Sequence, residues 1–221
     1  MLTSWSGPVR DTLEPAVLVE SETVHVGGKW KVDVHTVDIA GQRVKRDIVI
    51  HPGAVSVLVL NDRDEVLLIR QYRQALGMFL FETPAGLLDI DAENPLVAAQ
   101  RELAEEAGVQ AARWETLVDF YNSPGGSSEA IRIYLAREIT ELPDGRVITG
   151  EAEEMVLPCV WVPLKQAVDL VLGGELGNPT AVVGVLAAWA WRKDPDRVLR
   201  DANTPWNARE GLKSLGRLPS V

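Results

Sequence analysis

Residues 93–109 read ENPLVAAQRELAEEAGV, and the fold is decided by this stretch. Asn94-Pro95 marks a helix start: the Asn side chain can accept from amides of the first turn, and Pro suits the first helical position. Gly108 is a natural stop, because helices commonly end on a residue in the left-handed conformation. Leu96, Ala99, Leu103 and Ala107 recur at helical spacing and form a stripe for burial. Glu102, Glu105 and Glu106 stand at i, i+3 and i+4, so they crowd one face. They lie in the second half of the helix, where the dipole disfavours negative charge. Each like-charge pair costs roughly 0.2–0.5 kcal/mol on an exposed helix. Arg101, four residues before Glu105, offsets part of that repulsion. A bound cation explains the placement; a solvated acidic face with an Arg–Glu pair is the plainer alternative.

Working outward, the pattern changes from helical to strand-like on both sides. Residues 30–39 alternate, with Trp30, Val32 and Val34 against Lys31, Asp33 and His35. Ala40-Gly41-Gln42 reads as a turn, and residues 43–50 as the hairpin partner. His51-Pro52-Gly53 breaks the pattern. Residues 54–60 and 65–70 are β-rich runs joined by Asn61-Asp62-Arg63-Asp64, a hairpin signal. Thr83-Pro84-Ala85-Gly86 reads as a loop. Downstream, residues 114–121, 131–136 and 159–162 read as strands, and residues 164–172 and 180–191 as helices. The tail after Arg192 is polar, carries Pro195, Pro205 and Pro219, and reads as irregular. Strands, one helix, strands, then two helices predict an α+β architecture.

Composition narrows the partners. The 221 residues are 46% hydrophobic and 24% charged, as in an ordinary soluble globular protein. No apolar run approaches the roughly 18 residues of a membrane span, so no membrane partner is expected. The N-terminus lacks a charged start followed by an apolar block, so no export signal is read. Cys159 is the only cysteine, so no internal disulfide forms and a cytoplasmic location is expected. The net charge of −10 argues against nucleic acid, which is gripped through a basic surface. An acidic protein acting on a phosphorylated small molecule needs divalent cations, and carboxylates bind them; solubility alone is the plainer account of the acidity.

Gly86, then Glu93, then seven residues, then Arg101-Glu102-Leu103-Ala104-Glu105-Glu106-Ala107-Gly108-Val109 resembles the Nudix box. The match is complete from Glu93 to Val109, and so many fixed positions at fixed spacing are a specific signal. Six residues, Leu87 to Ala92, separate Gly86 from Glu93 where five are usual. The extra residue falls in a loop before the helix and leaves the helix register intact. The resemblance implies a mixed β-sheet sandwiched between helices, with an N-terminal antiparallel sheet. It also implies attack by water on a nucleoside diphosphate linked to a further group. Glu102 and Glu106 then become the principal metal ligands, Glu105 an assisting one, and the carbonyl of Ala85 a further one. Arg101 orients the glutamates, and Glu93 supports the site by pairing with Arg101.

Pro124, sixteen residues beyond Gly108, sits where ADP-ribose pyrophosphatases carry a marker proline. Leu80-Phe81-Glu82-Thr83-Pro84-Ala85-Gly86, Arg70-Gln71-Tyr72-Arg73 and Gly126-Ser127-Ser128-Glu129 are similar to runs of the same subfamily. So is residues 173–180, before the last helix. The resemblance implies Mg2+-dependent (or Mn2+-dependent) hydrolysis of ADP-ribose to AMP and ribose 5-phosphate. Arg73 would contact phosphate, with Glu82, Pro124 and Glu129 also at the substrate. The base would come from the acidic loop at residues 150–155, with Glu154 favoured, then Glu153, then Glu151. Trp30 is the candidate for stacking on adenine, against the alternative of a core Trp. The subfamily implies a homodimer with exchanged N-terminal sheets. Residues 1–53 would then serve dimerisation and substrate contact, residues 54–195 form the hydrolase domain, and residues 196–221 an irregular tail. Two other functions stay open: hydrolysis of a different nucleoside diphosphate derivative, such as a nucleotide sugar, a dinucleoside polyphosphate or NADH, and a non-catalytic nucleotide sensor.

Overall fold

The computed structural model describes residues 4–146 and 157–219. An N-terminal antiparallel sheet comes first, with order β1 (Val17–Val26), β2 (Lys31–Ile39), β3 (Gln42–Ile50). Ala40 and Gly41 both take positive φ, 53° and 79°, which is the backbone a tight β2–β3 turn requires. The chain then runs through β4 (Ala54–Val59), β5 (Glu65–Arg73), β6 (Met78–Glu82), β7 (Ala85–Leu87) and α1 (Pro95–Ala107). It continues with β8 (Val109–Tyr121), β9 (Ala130–Glu141), β10 (Cys159–Pro163), α2 (Leu164–Leu172) and α3 (Pro179–Arg192). The last elements are β11 (Arg200–Asp201) and α4 (Asn207–Ser214). The class is α+β, as the element order predicts.

A five-stranded sheet of order β11-β8-β9-β4-β7 forms the centre, with β4 parallel to β9 and the other neighbours antiparallel. All six residues of β4 are buried, as expected of a central strand covered on both faces. Val55, Val57 and Val59 pack with Ala98, Ala99 and Leu103 of α1. Ala54 and Leu58 point the other way, into a cluster with Leu164, Ala181 and Val185 of α2 and α3. The sheet is therefore sandwiched between helices. A third sheet of order β10-β5-β6 carries the strand that ends in Arg73.

Three expectations need correction. Residues 61–64 do turn the chain, with Asn61 and Glu65 bonded across the turn. Yet β4 and β5 are not a hairpin pair: they share one bridge, Leu60 to Val66, and diverge into different sheets. Alternation within each strand is the same whichever partner it takes, so it carried no information on pairing. In β2 the buried side chains are Asp33, His35 and Val37, the polar half of the expected alternation. Thr23 and Lys31 partner Asp33, which makes that burial tolerable. The tail is not irregular. β11 pairs with β8, and Trp206, 6% exposed, packs under the Arg132 guanidinium 4.9 Å from its ring. Arg132 also donates to the Thr204 carbonyl at 2.7 Å.

Candidate active site

The box helix forms for the reasons its sequence gives. Asn94 Oδ1 accepts from the Leu96 amide at 2.8 Å, Pro95 opens the helix, and Gly108 closes it at φ 66°. The acidic face, however, is not solvated. Glu102 is 9% exposed and Glu106 4%, both turned inward beside Leu103. What they meet is the segment 83–86, expected from the sequence as a loop: Thr83 and Pro84 are one, but Ala85 and Gly86 open β7 and pair with Ser56 and Val55 of β4. The Ala85 amide donates to Glu106 Oε2 at 2.8 Å. Glu102 crosses directly over Gly86: a Cβ there would stand 2.0 Å from Glu102 Oε1 and 2.4 Å from its Cγ. Only glycine admits a carboxylate that close to the backbone.

That loop has its own support. Thr83 is fully buried, and its hydroxyl lies 2.6 Å from that of Ser56. Thr83 Oγ1 donates to Thr180 Oγ1 at 2.8 Å, and Thr180 Oγ1 donates to Asn178 Oδ1 at 2.7 Å. Asn178 caps α3, accepting also from the Thr180 and Ala181 amides. A chain of buried polar groups thus joins the start of α3 to the loop beneath the glutamates.

Arg101 organises the acids. Its Nε and Nη2 donate to the two oxygens of Glu93 at 3.0 and 3.1 Å. Its Nη1 donates to Glu102 at 2.7 Å and to Glu105 at 3.1 Å. The guanidinium fork, with donors on three nitrogens, can serve three carboxylates at once. Hydrogen bonding to Glu93, with Glu102 behind it, holds Arg101 above its ordinary pKa against the opposing pull of burial. Among the described residues, no three His, Cys, Asp or Glu side chains already gather as a metal cage. The fit to a divalent cation rests instead on hard oxygen donors: buried Glu102 and Glu106, half-buried Glu105, and the Ala85 backbone set beside Glu106.

Arg73 and Glu82 form a second unit. Arg73 donates through Nε and Nη2 to both oxygens of Glu82, at 2.8 and 2.5 Å. Glu82 is 1% exposed, whereas the Arg73 side chain reaches the surface. Glu82 therefore acts on anything in solution through Arg73.

A third neighbourhood centres on His51, which in the sequence is visible only as a break in a pattern. Trp30 stacks on it, ring centroids 5.4 Å apart and planes at 22°. Trp30 itself is 45% exposed, so it is not a core Trp. The Gly53 amide donates to His51 Nδ1 at 3.0 Å, which leaves the ring proton on Nε2, 3.6 Å from Glu129 Oε1. Burial lowers the His51 pKa, and Glu129 opposes that only in part. Asn122 holds the other Glu129 oxygen at 2.7 Å. The loop with Pro124 is pinned to β3 by the Val49 amide on Gly126 O and the Ser128 amide on Val49 O. Pro124 borders a cavity of about 500 Å³ with Arg46, Ile48, Tyr121, Leu212 and Arg217. The base candidates Glu151, Glu153 and Glu154 lie outside the described residues.

The NUDIX domain profile matches residues 50–181, and the chain belongs to the Nudix hydrolase family. It is similar to an ADP-ribose pyrophosphatase of Mycobacterium tuberculosis, 40% identical over 173 residues, covering 78% of this chain and 82% of that protein. An ADP-ribose pyrophosphatase of Bacillus subtilis is 34% identical over 148 residues, 66% of this chain and 78% of that protein. A GDP-mannose pyrophosphatase of an Enterobacter species is 31% identical over 148 residues, 64% of this chain and 75% of that protein. Among solved structures, an ADP compounds hydrolase superposes with a TM-score of 0.70 at 24% identity, over 86% of this chain and 100% of that one, which shows a shared fold.

Proposed function

We propose that this chain hydrolyses the pyrophosphate of ADP-ribose with Mg2+, or Mn2+ in its place, giving AMP and ribose 5-phosphate. The observation that carries this reading is the burial of Glu102 and Glu106 against the Ala85-Gly86 backbone. Glu102 and Glu106, one helical turn apart with Glu105 beside them, gather hard oxygen donors at that backbone, the donor type a divalent cation takes. A divalent ion there would supply positive charge to the pyrophosphate oxygens and acidify water. Arg101 keeps Glu102 and Glu105 oriented. Arg73, aimed by Glu82, offers its guanidinium to phosphate. Trp30 presents an exposed ring for the base, and Glu129 stands against the His51 ring on which Trp30 stacks; Pro124 is proposed to meet the substrate from its own loop. Glu154, with Glu153 and Glu151 behind it, is the proposed base that takes the proton of the attacking water.

The N-terminal sheet is proposed to pair with a second copy. Every residue of β1 is exposed, including Val17, Leu18, Val19, Val24 and Val26. An apolar strand left bare in this way marks a contact surface. Size-exclusion chromatography with light scattering reads the dimer directly, and a monomeric mass removes it.

The substrate is tested by AMP release from ADP-ribose with purified protein and Mg2+. Absence of turnover with either Mg2+ or Mn2+ overturns the proposal. Glu106→Gln is expected to lower kcat/KM by about a hundredfold or more, since it removes charge from the cation's site. The similarity to GDP-mannose pyrophosphatase favours one second reading, a nucleotide sugar as substrate. Ranking kcat/KM for ADP-ribose against GDP-mannose, NADH and a dinucleoside polyphosphate decides between them.

A further inference from the structure

The C-terminal helix α4 has no fully buried side chain; Ala208 and Leu212 rest, partly buried, against the core cluster that includes Trp206. Two polar tethers add to that packing. Trp206, just before it, is held under Arg132. Arg209, within it, donates from Nη1 to the Pro52 carbonyl. Arg209 has no ion pair among the described residues. Burial pulls its pKa down, with only Glu210 opposing. A half-buried guanidinium without a carboxylate is an expensive way to hold a surface helix.

What it holds is the turn that seats His51. Gly53 lies under the same guanidinium at φ +86°, and a Cβ there would stand 3.0 Å from Arg209 Nη1. The Gly53 amide fixes His51 Nδ1, and the His51 ring carries Trp30. The end of the tail borders both sides of this unit. Pro219 lines the cavity beside Trp30, and Leu212 and Arg217 line the one beside Pro124.

We propose that Arg209 is a positioning residue for nucleotide binding: by holding the Pro52 carbonyl it fixes His51 and, through it, the Trp30 ring. The proposal rests on the reading of Trp30 as the base platform. Arg209 touches no reacting atom, so its loss weakens binding and spares the chemical step.

The test compares Arg209→Met, Arg209→Lys and, as a control on the same helix, Lys213→Ala. Steady-state kinetics are run with ADP-ribose, and AMP affinity is measured by calorimetry in EDTA, independent of turnover. Arg209→Met is expected to raise KM and the AMP Kd by about tenfold, with kcat within about twofold of wild type. Arg209→Lys restores most of the affinity, because its ammonium still donates to one carbonyl. Lys213→Ala changes neither constant. Unchanged KM and AMP affinity in Arg209→Met overturn the proposal. So does a joint fall of kcat and melting temperature that Arg209→Lys fails to rescue, which is the mark of a purely structural role. Should wild-type protein leave ADP-ribose intact, the functional reading fails by itself. The same variants are then run on whichever nucleoside diphosphate derivative wild type turns over fastest, with the mononucleotide it releases replacing AMP, and the same outcomes apply.

Discussion

Gly86 and Glu102 are sixteen residues apart and share one space. A methyl group on Gly86 would overlap the Glu102 carboxyl and its Cγ, at 2.0 to 2.4 Å, so the whole side chain must swing away. It cannot swing freely, because Arg101 holds Glu102 Oε1 at 2.7 Å and is itself anchored on Glu93. Gly86→Ala is therefore expected to cost about 1–3 kcal/mol of stability, as overpacking of a tight site does. The loss in kcat/KM is expected to be larger, about a hundredfold, because a misplaced ligand loses the geometry on which the rate depends. Kinetics and a thermal melt on one preparation check this; full activity would show that Glu102 has no fixed place in the reaction. Gly86, Arg101, Glu102 and Glu106 were legible in the sequence because one helix and the loop before it carry them at fixed spacing. His51 and Thr83 were not. Ser128, which receives the His51 amide, is 77 residues away, and Thr180, which receives the Thr83 hydroxyl, is 97. No local pattern records such a pair.

At the scale of elements, the start of α3 controls the loop under the glutamates. Asn178 accepts three hydrogen bonds, two from the first turn of α3 and one from Thr180 Oγ1, which in turn receives Thr83. Asn178→Ala removes a helix cap and strands buried hydroxyls, for an expected loss of about 2–3 kcal/mol in urea unfolding. Because Thr83 precedes Ala85 by two residues, kcat/KM is expected to drop severalfold as well. Lost stability with unchanged kinetics would mean that the loop keeps its shape without α3. The cap of α1 was readable because capping is chemistry between neighbours in sequence; Asn178, the cap of α3, carries the same local signal and was passed over. The strand partners were not readable, because β4 presents apolar side chains to both faces and gives no sign of which strand lies beside it. Nor was α4, whose apolar face in Asn207–Ser214 is only Ala208 and Leu212 and which relies also on Trp206 and Arg209.

At the scale of the molecule, two buried histidines mark the places where the N-terminal sheet meets the rest of the chain. His35 lies on the buried side of β2, with Asp33 and Lys31 on its own strand, Thr23 on β1 bonded to that Asp33, and Arg217 of the tail. His51 lies between Trp30 and Glu129. Burial, helped at His35 by Arg217, lowers both pKa values, and Asp33 and Glu129 oppose it only in part. A histidine whose pKa is lower folded than unfolded binds its proton more readily in the unfolded chain. Its contribution to stability is complete above the unfolded value, about 6.5, and is lost as pH falls below that toward the folded value. Asp33 adds nothing in that window. Burial raises its carboxyl, Thr23 and Lys31 outweigh burial, and the net shift is downward, so its share is lost only in stronger acid. The melting temperature is therefore expected to hold above pH 7 and to fall as pH drops from about 6.5 toward 5. A His35→Gln/His51→Gln double variant removes both titrating groups and is expected to flatten that fall, even if its melting temperature at pH 7.5 is lower throughout. Circular dichroism melts at pH 7.5, 6.5 and 5.5 read the two slopes. Parallel curves for variant and wild type would assign the acid sensitivity to groups other than these two histidines and would remove the link between their neutral form and stability.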